Sequence, residues 1–320
     1  MDESQFIGQL SVPRESVPSP QWEVTTSDMT PRLDTFLQSR LPTVPKREIL
    51  EWIVTRRVRV NAQVGRKGDR LHPGDHVALL APTILPANPQ LTIRIVFTDE
   101  ALVVLDKPAG MPSVALRHDE TNTVPNFLLA HFPETATVSP RSLEAGVVHR
   151  LDTATSGLLL VARTPYTYIA LRKAFTSHVV EKHYVVFVEG QLRRSGQRTS
   201  DLAAAGKRGQ RMREVADGKG QRACTIYTPL ERFPRHTLVH VTIPTGVRHQ
   251  IRVHLAALGH PIVGDTLYGG SLEYAARLCL HATTLAFPHP LTGKRVRFES
   301  PLPEDFREEG TVTNDKGAIT

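Results

Sequence analysis

The chain has 320 residues, 40% hydrophobic and 22% charged, with a net charge of +7. That balance describes a globular protein with room for two domains rather than a disordered or fibrous chain, and no apolar run reaches the ~18 residues that a membrane helix needs. The acidic start MDESQFIGQL lacks the order of a secretory signal, and Cys224 and Cys279 lie far apart outside any metal spacing, so a reducing cytoplasm is the expected location.

In chain order, residues 1–29 contain Pro13, Pro18 and Pro20, show no helical or strand period, and read as a flexible acidic tail. Residues 30–81 read as a small basic α+β domain. Thr30 and Pro31 suit a helix N-cap and first helical position, and Leu33, Phe36, Leu37 and Leu41 follow at helical spacing. A second helix is predicted from Lys46 to Thr55 with Ile49, Leu50 and Ile53 inward, followed by a hairpin through Val58, Val60, Val77 and Leu79. This segment holds ten Lys/Arg against five Asp/Glu. Lys46, Arg47, Arg56 and Arg57 gather around the second helix, a concentration of positive charge that suits RNA phosphates. Residues 82–91, PTILPANPQL, read as a Pro-rich, semi-rigid linker.

Strands dominate from residue 92 onward. Ile93, Ile95 and Phe97 alternate, Leu102 to Leu105 form a second apolar run, and residues 123–132 suit a short helix. Leu158 to Ala162 is an unbroken apolar run with no polar face, the pattern of a strand covered on both sides. The polar turn before it, His149 to Gly157, presents Arg150 and Asp152 on a loop anchored to that strand, a common way to hold a reactive group in a cleft. Tyr166 to Val180 predicts an amphipathic helix with Ile169, Leu171, Phe175 and Val179 inward, and Tyr184 opens the next strand. Residues 191–222 hold nine Lys/Arg against three Asp/Glu and little periodicity; they read either as a solvated loop or as a flexible finger that closes on RNA. Val239, Val241 and Ile243 alternate as a strand, and Gln250 to Leu258 predicts a helix ended by Gly259. His249, His254 and His260 lack the spacing of a zinc helix, so no metal is expected. Residues 307–320 read as a second loose tail.

Five ordered motifs resemble those of the RluA-type pseudouridine synthases. They are HRLDTATSGLLLVAR at 149–163, the turn Lys107-Pro108-Ala109-Gly110, Lys182-His183-Tyr184 with its strand, the run from His249-Gln250-Ile251-Arg252 to Gly264-Asp265, and Leu280-His281-Ala282 with the Pro-rich end beginning at Pro301. Residues 30–81 resemble the αL RNA-binding motif domain of ribosomal proteins, on Arg32-Leu33-Asp34, Val58-x-Val60-Asn61 and Pro73-Gly74-Asp75.

The resemblance implies an α+β fold: a mixed, mainly antiparallel β-sheet catalytic domain over 92–306, preceded by the small α+β RNA-binding domain. It implies an isomerase that detaches uracil from ribose, turns it and rejoins it through carbon. Asp152 would be the nucleophile and Arg252 the cation that keeps it ionised. Tyr184 would stack on the uracil and assist proton removal. Arg150 would fill the space of the everted base, and His149, Arg248, Lys46 and Arg47 would contact RNA. The expected partner is ribosomal RNA, with no cofactor, no metal and no membrane, and the expected state is a monomer. Val247-Arg248 stands where the family usually has Arg-Thr. Other readings are a synthase for transfer RNA, a vestigial RNA-binding or ribosome-assembly protein, and a glycosidic hydrolase, which would need a second carboxylate beside Asp152.

Overall fold

The basic segment near the N-terminus folds as a unit of its own, residues 1–83, and residues 84–320 form a second unit. The structure is a computed structural model that describes residues 20–28, 31–54, 56–80 and 85–306. None of the helices among these residues is long and apolar enough to cross a membrane.

In the first unit, strand β1 (Gln21–Glu23) is followed by helices α1 (Leu33–Arg40) and α2 (Lys46–Val54), then by β2 (Val58–Val60), β3 (Gln63–Val64) and β4 (His76–Leu79). The strands form a four-stranded antiparallel sheet in the order β1-β4-β2-β3. Leu33, Phe36, Leu37, Ile49, Ile53 and Val77 meet in its core. Asp75 closes the hairpin: its carboxylate accepts the His72 N–H and the Asn61 side-chain amide, both at 2.7 Å, and these bonds hold its pKa below the usual carboxylate range.

Two expectations for this region need correction. The tail expected over 1–29 includes ordered residues, because Gln21–Glu23 pairs with β4 and Val24 is buried; residues 1–19 lie outside the described residues. The flanking prolines hid this short alternation of polar and apolar residues. Helix α1 has Arg32 as its N-cap, not Thr30, which lies outside the described residues. Arg32 is held extended between two backbone bonds, the Leu71 N–H to Pro31 O and the Leu33 N–H to Asp69 O.

The second unit begins with a segment expected as linker. Leu85 is buried, the Asn126 side chain donates to Pro86 O at 2.7 Å, and Asn88 donates to Thr121 O at 2.8 Å, so residues 85–91 are fastened rather than free. The elements then run β5 (Arg94–Thr98), β6 (Leu102–Lys107), α3 (Val124–His131), β7 (Ser156–Ala162), α4 (Pro165–Thr176), β8 (Glu181–Glu189), β9 (Gly196–Ala205), β10 (Arg211–Val215), β11 (Gln221–Arg232), β12 (His236–Thr242), α5 (Gln250–Ala257), β13 (Leu280–Pro288) and β14 (Arg295–Glu299). Among the described residues the strands make one ten-stranded sheet in the order β10-β9-β11-β12-β8-β13-β7-β6-β5, with β14 on the far end of β13. Its pairings are antiparallel except for β13 with β7. This is the mixed, mainly antiparallel sheet expected for the catalytic unit.

Strand β7 is buried along its whole length, as its apolar run predicts. Alternation sends Leu159 and Val161 into one core, with Val103, Leu105, Val186 and Val241, and Leu158, Leu160 and Ala162 into a second core under α4 and Phe287. Helix α4 is shorter than expected. It stops at Thr176, His178 turns the chain at φ 58°, and Ile169 and Val179 are exposed while Leu171 is buried.

The expected flexible finger is the β9–β10 hairpin and the start of β11. Part of its charge is paired: Arg198 grips Glu214 with two bonds of 2.6 Å, and Arg222 pairs with Asp201 and Asp217. The sequence shows the density of charge but not this pairing.

Candidate active site

The loop carrying Asp152 is held from three directions. The Ser113 hydroxyl bridges both backbone groups of Leu151, donating to its carbonyl at 2.8 Å and accepting its N–H at 3.1 Å. On the other side of Asp152, the Thr153 carbonyl accepts the Gly110 N–H at 2.8 Å and the Lys107 ammonium at 3.2 Å. The Thr155 N–H closes the turn on the Asp152 carbonyl at 3.0 Å. Lys107 is fully buried and also donates to Pro108 O and Met111 O at 2.8 Å. Burial lowers its pKa to about 7, with the Asp152 charge acting in the opposite sense. The Lys-Pro-x-Gly turn, weak as a motif alone, is thus the clamp of this loop.

Helix α5 supplies the counter-charge. Arg252 is buried, and its Nε and Nη2 donate to the two oxygens of Asp265 at 2.8 Å each, a fork-to-fork pair that fixes the guanidinium plane. The remaining Nη1 donates to Asp152 Oδ2 at 3.0 Å. Burial opposes the charged form of Arg252, but the bonds and charge of Asp265 and the charge of Asp152 hold its pKa above the ordinary value. Asp265, at the turn after α5, is itself buried. His249, the N-cap of α5 in left-handed conformation (φ 55°), brings Nε2 to 3.8 Å from Asp152 Oδ2.

Tyr184 lies inside the central strand β8 rather than at its start, paired with Val241 and Ala282 on either side. It is buried, and burial together with the Asp152 charge pushes its phenol above the usual range. Asp152, Tyr184, Arg252, Arg150, Lys182 and Arg248 all line one cleft of about 860 Å³. Lys182 donates to Thr245 O at 2.9 Å, and burial lowers its pKa to about 8.

The other residues marked by the sequence divide. Arg150 is exposed at the cleft. Arg248 reaches the β9–β10 turn, donating to Gly209 O and to Arg211 O. Its neighbour Val247, where the resemblance expects Arg, packs with Leu202, Met212 and Val253 beneath that hairpin. Lys46 and Arg47 are exposed on the first turn of α2 in the N-terminal unit. His149 lines the cleft, but its Nε2 accepts the Leu160 N–H at 3.0 Å and its ring stacks on Phe175 at 4.7 Å. These contacts tie it to β7 and α4.

His149 and His254 predict an acid limb of stability. Burial lowers the first to about 3 and the second to about 4. In the unfolded chain each ring takes up a proton below about pH 6.5, whereas the folded protein excludes it. Stability is therefore complete above that pH and falls toward pH 4 by about 1.4 kcal/mol per pH unit for each ring. Urea midpoints measured from pH 7 to pH 4.5 should show this slope, and His149→Gln should flatten it; an unchanged slope in the variant would remove His149 from the account.

Sequence reading missed Asp265, Lys107 and His249 as parts of the site. Asp265 and Lys107 stood only as motif letters, and His249 was weighed as a metal ligand. Nothing in their spacing places them around Asp152.

The model of a family described as RNA pseudouridylate synthase matches residues 101–257. A protein of Pseudomonas aeruginosa named ribosomal large subunit pseudouridine synthase D is 36% identical over 292 residues, covering 86% of this chain and 89% of its own length. A Bacillus subtilis protein named uncharacterized RNA pseudouridine synthase YlyB is 33% identical, covering 90% and 96% of the two chains. Among solved structures, human RNA pseudouridylate synthase domain containing 1 has a similar fold, with a TM-score of 0.54 at 24% identity, over 68% of this chain and 86% of that one.

Proposed function

The chain belongs to the RNA pseudouridylate synthase family, and from that premise we propose that it isomerises uridines of large-subunit ribosomal RNA with Asp152 as nucleophile. The observation that carries this reading is the carboxylate of Asp152, paired to an Arg252 already oriented by Asp265, inside the cleft that Tyr184 also lines. The substrate class is supported by the names of relatives such as the Pseudomonas protein.

The reaction breaks the bond from ribose C1′ to uracil N1 and makes one from C1′ to C5; C5 loses a proton and N1 gains one. Nothing is oxidised or reduced. Asp152 holds one fragment while the base turns, and the bond from Arg252 Nη1 aims its carboxylate for attack. Tyr184 acts through its face, stacking on the uracil; its raised pKa keeps the phenol protonated and argues against the base role. Everting a paired uridine costs a few kcal/mol. Stacking in the vacated space falls to Arg150 in this reading, supported by its exposure at the cleft. The N-terminal unit reads as an αL RNA-binding motif domain whose Lys46 and Arg47 contact phosphates. Hydrolysis is disfavoured because Asp265, the carboxylate nearest in role, is buried with both oxygens on Arg252.

Pseudouridine maps of cellular RNA with and without the gene test the proposal. At least one uridine of the large-subunit RNA should lose its modification. A missing site confined to transfer RNA would move the substrate, and no missing site in any RNA would overturn the reading.

A further inference from the structure

The Tyr268 hydroxyl joins two parts of the second unit that the reaction must coordinate. Its oxygen accepts the Met212 N–H of β10 at 2.8 Å and lies 2.8 Å from His249 Nδ1. Its ring lies under the Arg252 guanidinium, 5.1 Å from centre to carbon, and edge-on to the His249 ring at 5.7 Å. Arg252 and His249 both approach Asp152 Oδ2, at 3.0 and 3.8 Å. Both groups that flank the carboxylate therefore rest on Tyr268, and Tyr268 is tied to the hairpin.

The hydrogen positions follow from the partners. The Tyr268 oxygen receives an N–H from Met212, so its own hydrogen goes to the acceptor within reach, His249 Nδ1. A neutral His249 then carries its proton on Nε2, the nitrogen that faces Asp152. The charged groups around that ring are Asp152, Arg252, Arg248 and Asp265, with burial lowering its basicity. At 3.8 Å the Nε2–H stands just outside hydrogen-bond distance of the carboxylate.

We propose that Tyr268 and His249 are positioning residues that couple the β9–β10 hairpin to Asp152. The hairpin exposes Lys207, Arg211 and Arg213, and it is seated on residues 247–249 by Arg248 and by the cluster of Val247, Leu202 and Met212. RNA phosphates drawn to those cations press on β10, and the shift passes through the Tyr268 hydroxyl to bring Nε2–H onto Oδ2. Asp152 is then held by two donors only when RNA is in place, which aims the carboxylate for attack. The inference rests on the family's reaction and on Asp152 as its nucleophile, not on which RNA is modified.

Two conservative variants test it. Tyr268→Phe keeps the ring under Arg252 and removes only the hydroxyl link. His249→Asn removes the imidazole and suits the left-handed backbone. Total RNA from a strain lacking the gene serves as substrate, so wild-type conversion of that RNA stands or falls separately from the coupling. Each variant should lower the single-turnover rate about tenfold while RNA affinity stays within about twofold, and the double variant should be no slower than either single. Rates equal to wild type, losses that multiply in the double variant, or a weakened affinity that accounts for the slower rate would each overturn the coupling.

Discussion

Asp152→Asn is expected to lower pseudouridine formation by about a thousandfold or more while leaving RNA binding within about twofold. The substitution is nearly isosteric and removes the nucleophile, because an amide oxygen does not make the covalent bond that a carboxylate makes. The fold should tolerate it. The Asp152 side chain is about one-quarter exposed (23%), its loop is held through the backbone of Leu151 and Thr153, and Arg252 keeps both bonds to Asp265. Binding should persist because affinity for RNA resides mainly in phosphate contacts spread over the surface. Filter binding and single-turnover conversion on the same RNA check both halves. Conversion near the wild-type rate would end the assignment of Asp152, and a matching loss of binding would show that the side chain serves recognition instead.

The local half of this site is legible in the sequence, and the tertiary half is not. The five-residue apolar run and the polar turn before it announce a buried strand presenting Asp152, because a strand covered on both faces has no polar alternative. Gly157 is also legible in kind but not in cause: at φ 110° its missing side chain admits the Ala282 carbonyl, which a Cβ would meet at 2.3 Å. That approach belongs to the parallel contact of β7 with β13, made by a strand far along the chain. The pairing of Arg252 with Asp152 comes from the resemblance, whereas the bidentate grip of Asp265 depends on how the turn after α5 folds back. The hairpin departs from expectation for the opposite reason. Its charge density is visible, but the pairing of Arg198 with Glu214, which turns a basic stretch into two ordered strands, exists only once the strands are in register.

Asp265 is where stability and catalysis are most tightly joined. Asp265→Asn should destabilise the protein by about 3 kcal/mol, because it leaves a buried guanidinium with a single, partly exposed counter-charge. It should also slow conversion, since Arg252 loses the fork that fixes its plane and so the direction of Nη1 toward Asp152. A fall in activity alone would not separate the two effects. The double variant Arg252→Met with Asp265→Leu does so: removing a whole buried ion pair in favour of apolar side chains of similar size is often neutral for stability. The expected outcome is a urea midpoint closer to wild type than that of Asp265→Asn, with conversion still lost. Recovery of activity along with stability would mean that the pair serves the fold alone, and that Asp152 needs no guanidinium to aim it.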